Sequence, residues 1–179
     1  MDTQMNQKPA SLNTPDRRRS SLVIGHWLLV ISLYTLDQIT KRWIVANFES
    51  YSAIQVIPGW FNVVYVVNTG AAFGSFKDSN PFFIGISVVT LLALLVFQWR
   101  GAFRDGWTKT GVALLIAGIL GNLTDRFLYG HVVDFLDFHM GEHHWPSFNV
   151  ADSCICVAVG LFLIGSIVEE KRRKSGAQL

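Results

Sequence analysis

From Ser79 to Trp99 the chain contains no Asp, Glu, Lys or Arg, and the run Phe82 to Phe97 is almost wholly apolar. A water-soluble domain seldom hides so long a segment, whereas a bilayer core requires one. About 20 mostly apolar residues cross it as a helix, rising roughly 1.5 Å each and satisfying every backbone polar group internally. Three further runs follow the same logic: Leu22 to Leu36, extended through Asp37–Ala46; Thr110 to Gly121, continuing to Tyr129; and Ala151 to Val168. Only 16% of the 179 residues are charged, against about 25% in soluble domains. The sequence therefore predicts an all-α membrane protein with four transmembrane helices, near 22–46, 80–99, 110–129 and 150–168. A net charge of +2 gives no broad basic field, so no nucleic acid is expected as a partner. Cys154 and Cys156 are too few and too close for a disulfide framework and read as small core residues.

Basic residues orient such a bundle. Eleven of the fifteen lie in the N-terminal tail (Lys8, Arg17–Arg19), between the second and third spans (Arg100, Arg104, Lys109) and in the C-terminal tail (Lys171–Lys174). The two opposite segments, 47–79 and 130–149, hold only Lys77. Both termini are therefore expected in the cytoplasm and those two segments outside. Residues 1–20 read as a disordered tail, 21–170 as one membrane domain and 171–179 as a basic tail. The first apolar run follows three arginines, as in a secretory signal peptide, but no small-x-small cleavage site follows it, so a retained helix is expected.

The first outer segment carries a hairpin pattern. Ile54-Gln-Val-Ile57 and Trp60-Phe-Asn-Val-Val-Tyr-Val-Val67 flank Pro58-Gly59, residues suited to a type II turn. The second strand is apolar on both faces, which predicts a small β-hairpin or sheet cradle lying on the membrane surface.

An ionisable group at membrane depth costs at least about 2.5–3.5 kcal/mol, so each needs a reason. Such groups gather toward the outer ends of helices one, three and four. Asp37 and Lys41 are i, i+4 on helix one, and a structural ion pair explains them without further function. Asn122, Asp125 and Arg126 share a face of helix three, where interhelical polar contacts are common. Asn149 and Asp152 fit an N-cap with an acid at its third helical position. Asp134, between Val132-Val133 and Phe135, has no such local explanation. Two carboxylates in a low-dielectric site suggest an aspartic dyad that shares one proton and activates a water. Spacing alone leaves Asp125 and Asp134 both open as the partner of Asp152.

Other chemistries fit less well. His139 and His143 are i, i+4, but the order is not His-Glu-x-x-His, and the segment containing Gly141 and Pro146 reads as an outer loop. Ser153 has no evident base, and the chain has no phosphate-binding glycine loop. A proton relay or small transporter built on the intramembrane acids is the main alternative, although the acids cluster at one depth and do not form a path. A lipid-headgroup hydrolase would have only Lys41, Arg42 and Arg126 as a phosphate clamp.

Five ordered motifs carry a resemblance: Asp37-Gln-Ile-Thr-Lys41, Asn68-Thr-Gly-Ala-Ala-Phe73, Gly121-Asn-Leu-Thr-Asp-Arg126, Val132-Val-Asp-Phe135 and Phe148-Asn-Val-Ala-Asp152. Over roughly residues 22–170 the chain resembles bacterial lipoprotein signal peptidase, or signal peptidase II. The resemblance implies an intramembrane aspartic protease of the bacterial inner membrane, active as a monomer near the periplasmic face. Its substrates would be prolipoproteins bearing a diacylglyceryl group, cut just before the lipidated cysteine. The catalytic pair it implies is Asp134 and Asp152. Asp37, Lys41, Asn68, Gly70, Asn122, Asp125, Arg126 and Asn149 would shape the site and hold substrate. It implies no metal and no cofactor. A covering motion of the hairpin over 54–67 would suit it.

Overall fold

The computed structural model describes residues 17–70, 79–103 and 105–176. Four helices dominate it: α1 (Arg17–Asn47), α2 (Asn80–Trp99), α3 (Gly106–Tyr129) and α4 (Val150–Gly176). Each contains a stretch long and apolar enough to cross a bilayer. α1 begins at Arg17, inside the stretch expected as tail, and α4 runs to Gly176, past the expected end of the membrane domain. Neither Arg17–Ser20 nor Lys171–Ser175 contains a Pro or Gly, so these Arg, Lys and Ser residues continue a helical turn once it has been nucleated.

α3 is the central helix, packed against α1, α2 and α4. One cluster of its apolar side chains, Val112, Ala113, Ile116 and Ala117, meets Val30 of α1. α2 buries no residue completely, and its large side chains Phe82, Ile86, Val89 and Leu92 point outward. Exposed Leu, Ile and Val are unfavourable in water and neutral against lipid tails, so the outward faces of α1, α2 and α4 mark the lipid-contacting surface.

At one end of the bundle sits an antiparallel sheet ordered β1 (Ala53–Ile57), β2 (Phe61–Asn68), β3 (Val132–Met140) and β4 (His143–His144). The hairpin expected from the sequence is β1–β2. Its turn closes through Trp60 N–H to the Ile57 carbonyl at 3.0 Å, with Gly59 at φ +79°, the conformation a type II turn requires at that position. β3 and β4 extend the hairpin with the second outer segment, so His139 and His144 lie on paired strands rather than in a loop. Val133 packs with Ile44, Tyr65 and Phe135 into a second core between α1 and the sheet. The alternation of a strand then turns Asp134 toward the opposite side from Val133.

Candidate active site

Asn149 starts the site by starting α4. Its side-chain oxygen accepts the Asp152 N–H at 2.8 Å, while Asp152 Oδ2 accepts the Asn149 N–H at 3.3 Å. This is a capping box with Asn and Asp in place of Ser and Glu, and it pins the Asp152 carboxylate to the first turn of the helix. Because its oxygen is committed, the Asn149 amide nitrogen faces the other way. It donates to Asp134 Oδ1 at 2.7 Å, to the Val133 carbonyl at 3.3 Å and to Asn122 Oδ1 at 3.2 Å. One fully buried residue thus bonds both carboxylates, Asp134 through its side chain and Asp152 through its backbone N–H.

β2 supplies the second support for Asp134. Asn68 pairs with Val132 and Val66 with Asp134, which makes Asn68 and Asp134 diagonal neighbours on one face of the sheet. Asn68 Nδ2 donates to Asp134 Oδ2 at 2.8 Å, an orientation fixed because Asn68 Oδ1 accepts the Gly70 N–H at 3.1 Å. Burial pushes the Asp134 carboxyl up to about 7 from an ordinary 3.8, helped by the neighbouring Asp152 charge and only partly offset by the two amide donors. The Asp152 charge is thus felt at Asp134, which favours the protonated form of the Asp134 carboxyl.

Behind the pair lies a buried ionic hub. Lys41 Nζ is 2.9 Å from Asp37 Oδ2 and 2.9 Å from Asp125 Oδ2, and it donates to Asn122 Oδ1 at 3.0 Å. An ammonium has no acceptor, so it forces the Asn122 amide nitrogen outward, where it donates to Asp152 Oδ1 at 2.7 Å. Asp37 also receives the Ala151 N–H at 2.9 Å, and Asp125 the Val133 N–H at 3.1 Å. Each hub acid therefore holds the residue next to one of the two candidate acids. Asp37 and Lys41 do form the structural ion pair expected of them, but fully buried and wired to Asp152 through Asn122.

Asp152 borders a groove of about 540 Å³, lined also by Asn68, Gly70, Asn122 and Arg126 among others. Arg126 reaches across it from α3. Its guanidinium lies 4.9 Å from the Phe83 ring centre, and Nη2 is 3.4 Å from the Gly70 carbonyl. Ala71, Ala72, Phe73 and Lys77 lie outside the described residues.

A model described as signal peptidase (SPase) II matches residues 29–168. The chain belongs to the signal peptidase II family. It is 37% identical over 171 residues to the lipoprotein signal peptidase of Shewanella pealeana, covering 89% of this chain and 95% of the relative. It is 42% identical over 148 residues to that of Geobacter sulfurreducens, covering 81% and 92%. A bacterial membrane enzyme solved by the in meso method at 2.3 Å superimposes with a TM-score of 0.77 at 33% identity, over 83% of this chain and 90% of that one. A second such enzyme, solved at 1.9 Å, gives 0.71 at 34% identity, over 79% and 91%.

Within this family member all ten residues singled out from the sequence converge on one end of the bundle. Asp125, the rival partner for Asp152, is committed to Lys41 and the Val133 amide, and Asp134 takes the place beside Asn149. Cys154 is buried as expected, but Cys156 is exposed and lines the groove, because two residues along α4 rotate it onto another face. Among the described residues no cluster of His, Cys, Asp and Glu could hold a metal ion. Three contributors were not singled out. Gln38 Nε2 bridges Asp37, Asp125 and the Gly121 carbonyl at 3.3, 3.1 and 3.2 Å. Gly121 lets α1 and α4 approach, since a Cβ there would lie 2.5 Å from Asp37 Oδ2. The third is the segment Trp145 to Phe148, which walls the groove. Gln38, Gly121 and Phe148 all lie inside the five ordered motifs, which is the sequence signal that marks them.

Proposed function

We propose that this chain is the peptidase that removes signal peptides from diacylglyceryl-modified prolipoproteins, cutting just before the lipidated cysteine, with Asp134 and Asp152 as its catalytic pair. The observation that carries this reading is Asn149, which bonds the Asp134 carboxylate through its side chain and the Asp152 carboxylate, itself part of the groove lining, through its backbone N–H.

In this reading a water sits between the acids and attacks the scissile carbonyl. The ionised member of the pair takes the water's proton, and the protonated member donates to the developing oxyanion and then to the leaving amine. Asn122 and Asn149 hold the carboxylates in place, so little reorganisation is needed as charge moves. Lys41, Asp37 and Asp125 are positioning residues that act through Asn122, Ala151 and Val133. Arg126, Asn68 and Gly70 present donors and acceptors to the substrate backbone.

The distribution of basic residues supports cytoplasmic termini, a periplasmic sheet and a site near the periplasmic face of the inner membrane. Both acids come from one chain, which supports a monomer as the active unit. A gel-shift assay with one purified lipidated precursor tests the proposal. The wild-type chain releases the signal peptide, and Asp134→Asn and Asp152→Asn each abolish release. Activity surviving in either variant rejects the pair, and no shift with wild type favours the transporter alternative.

A further inference from the structure

The groove has a wall that the reaction above does not use. Trp145 N–H donates to the Phe138 carbonyl at 2.8 Å, and Phe148 N–H to the Leu136 carbonyl at 3.1 Å. Pro146, between them, has no N–H to give the sheet. The segment is therefore tied to β3 at both ends. A third tie comes from His144, whose Nδ1 lies 2.9 and 3.1 Å from the two oxygens of Asp137 and whose ring stacks on His139 at 4.7 Å. Asp137 is itself held by Asn62 Nδ2 at 2.8 Å.

On this braced segment Trp145, a large apolar ring in the groove lining, is 65% exposed. A tethered segment has already lost its backbone freedom, so a ligand that covers the ring has little ordering left to impose. Ile155, Cys156 and Val157 of α4 line the same groove, and the last two are also exposed. The lining thus joins polar groups (Asn68, Asn122, Arg126, Asp152), which suit a peptide bond, to apolar ones (Trp145, Phe148, Ile155, Val157), which a bare peptide backbone does not need.

We propose that Trp145 is a specificity-determining residue that reads the diacylglyceryl group on the substrate cysteine. Its indole face packs on the thioether and glyceryl carbons, and the indole Nε1–H, distinct from the backbone N–H held by Phe138, donates to an ester oxygen. Asp137 and His144 are positioning residues for it. The proposal rests on the reading of the chain as a prolipoprotein peptidase.

The test uses the full chain in nanodiscs, first in the Asp134→Asn background, with one fluorescent precursor peptide carrying either a diacylglyceryl cysteine or an unmodified one. All variants face the same bilayer, so partitioning cancels between them. Trp145→Ala lowers the lipidated-to-unmodified affinity ratio about tenfold, as expected for one well-packed aromatic contact, and Trp145→Phe keeps it within about threefold. In the active chain Trp145→Ala raises KM for the lipidated precursor with kcat within about twofold. An unchanged ratio in Trp145→Ala or Trp145→Gln, or an equal loss for both peptides, overturns the proposal. Wild-type chain that leaves the lipidated precursor uncut instead brings down the proteolytic reading, while the binding ratio still reports on Trp145.

Discussion

Lys41→Met removes one charge from the hub while keeping most of the side chain's length. Lys41, Asp37 and Asp125 are 1%, 1% and 0% exposed, so none of them has water to fall back on. After the substitution two carboxylates face each other with only amide donors around them: Ala151 N–H and Gln38 on Asp37, Val133 N–H and Gln38 on Asp125. Breaking a buried pair from one side costs about 3–5 kcal/mol. Two pairs break here, but the surviving donors and uptake of a proton limit the loss, so the whole effect stays near that same 3–5 kcal/mol rather than doubling. The assay is denaturant unfolding of the purified chain in a fixed detergent, following the midpoint and slope. The companion variant Asp37→Asn/Lys41→Met/Asp125→Asn removes all three charges together and returns to within about 2 kcal/mol of wild type, because the penalty belongs to the unpaired acids. Its cleavage stays roughly 10- to 100-fold down, since Asn122 has lost the cation that aims its amide at Asp152. A Lys41→Met loss below about 1 kcal/mol, or a triple variant no more stable than the single, refutes the hub as described.

Asp134, raised to about 7, carries its proton below that value and loses it above, so kcat/KM should fall about tenfold per pH unit on the basic side of 7, and a flat profile to pH 9 contradicts this. The sign for stability is the same. Because the folded value lies above the unfolded one near 3.8, the stabilising contribution is complete below about pH 4 and is lost as pH rises to about 7. Gly121→Ala places a methyl 2.5 Å from Asp37 Oδ2 and 3.0 Å from the Ala151 Cβ. It should destabilise by about 1–3 kcal/mol through overpacking, and an unfolding midpoint equal to wild type would show that the helices can part freely. A membrane-permeant thiol reagent should block cleavage through Cys156, which lines the groove one turn beyond Asp152, and a lipidated precursor should protect it. Cys156→Ser should be active and insensitive; inhibition that persists in that variant places the reactive thiol elsewhere.

What could be read from the chain alone is what local physics decides. The four spans follow from charge-free length, the β1–β2 turn from Pro58-Gly59, and the start of α4 from Asn149 and Asp152, whose reciprocal bonds span three residues. The five motifs also placed the chain among its relatives. The links that make a site lie far apart in sequence: Lys41 meets Asn122 across 81 positions, and Ala151 meets Asp37 across 114. No periodicity reports such contacts. Nor could spacing choose between Asp125 and Asp134. The fold separates their surroundings: Asp125 falls opposite the Lys41 ammonium and the Val133 amide, while Asp134, on the other side of β3 from the Val133 core, is turned toward Asn149. The Trp145 wall exists only because β3 pairs with β4 and holds that segment over the groove. Composition and short-range bonding determined the helices and the membrane they require. Which buried charges face each other, and which are left facing the groove, was settled by the packing of α1, α3 and α4 against the sheet. A buried charge takes its partner from whatever the fold brings within about 3 Å, and that neighbour is set by tertiary geometry.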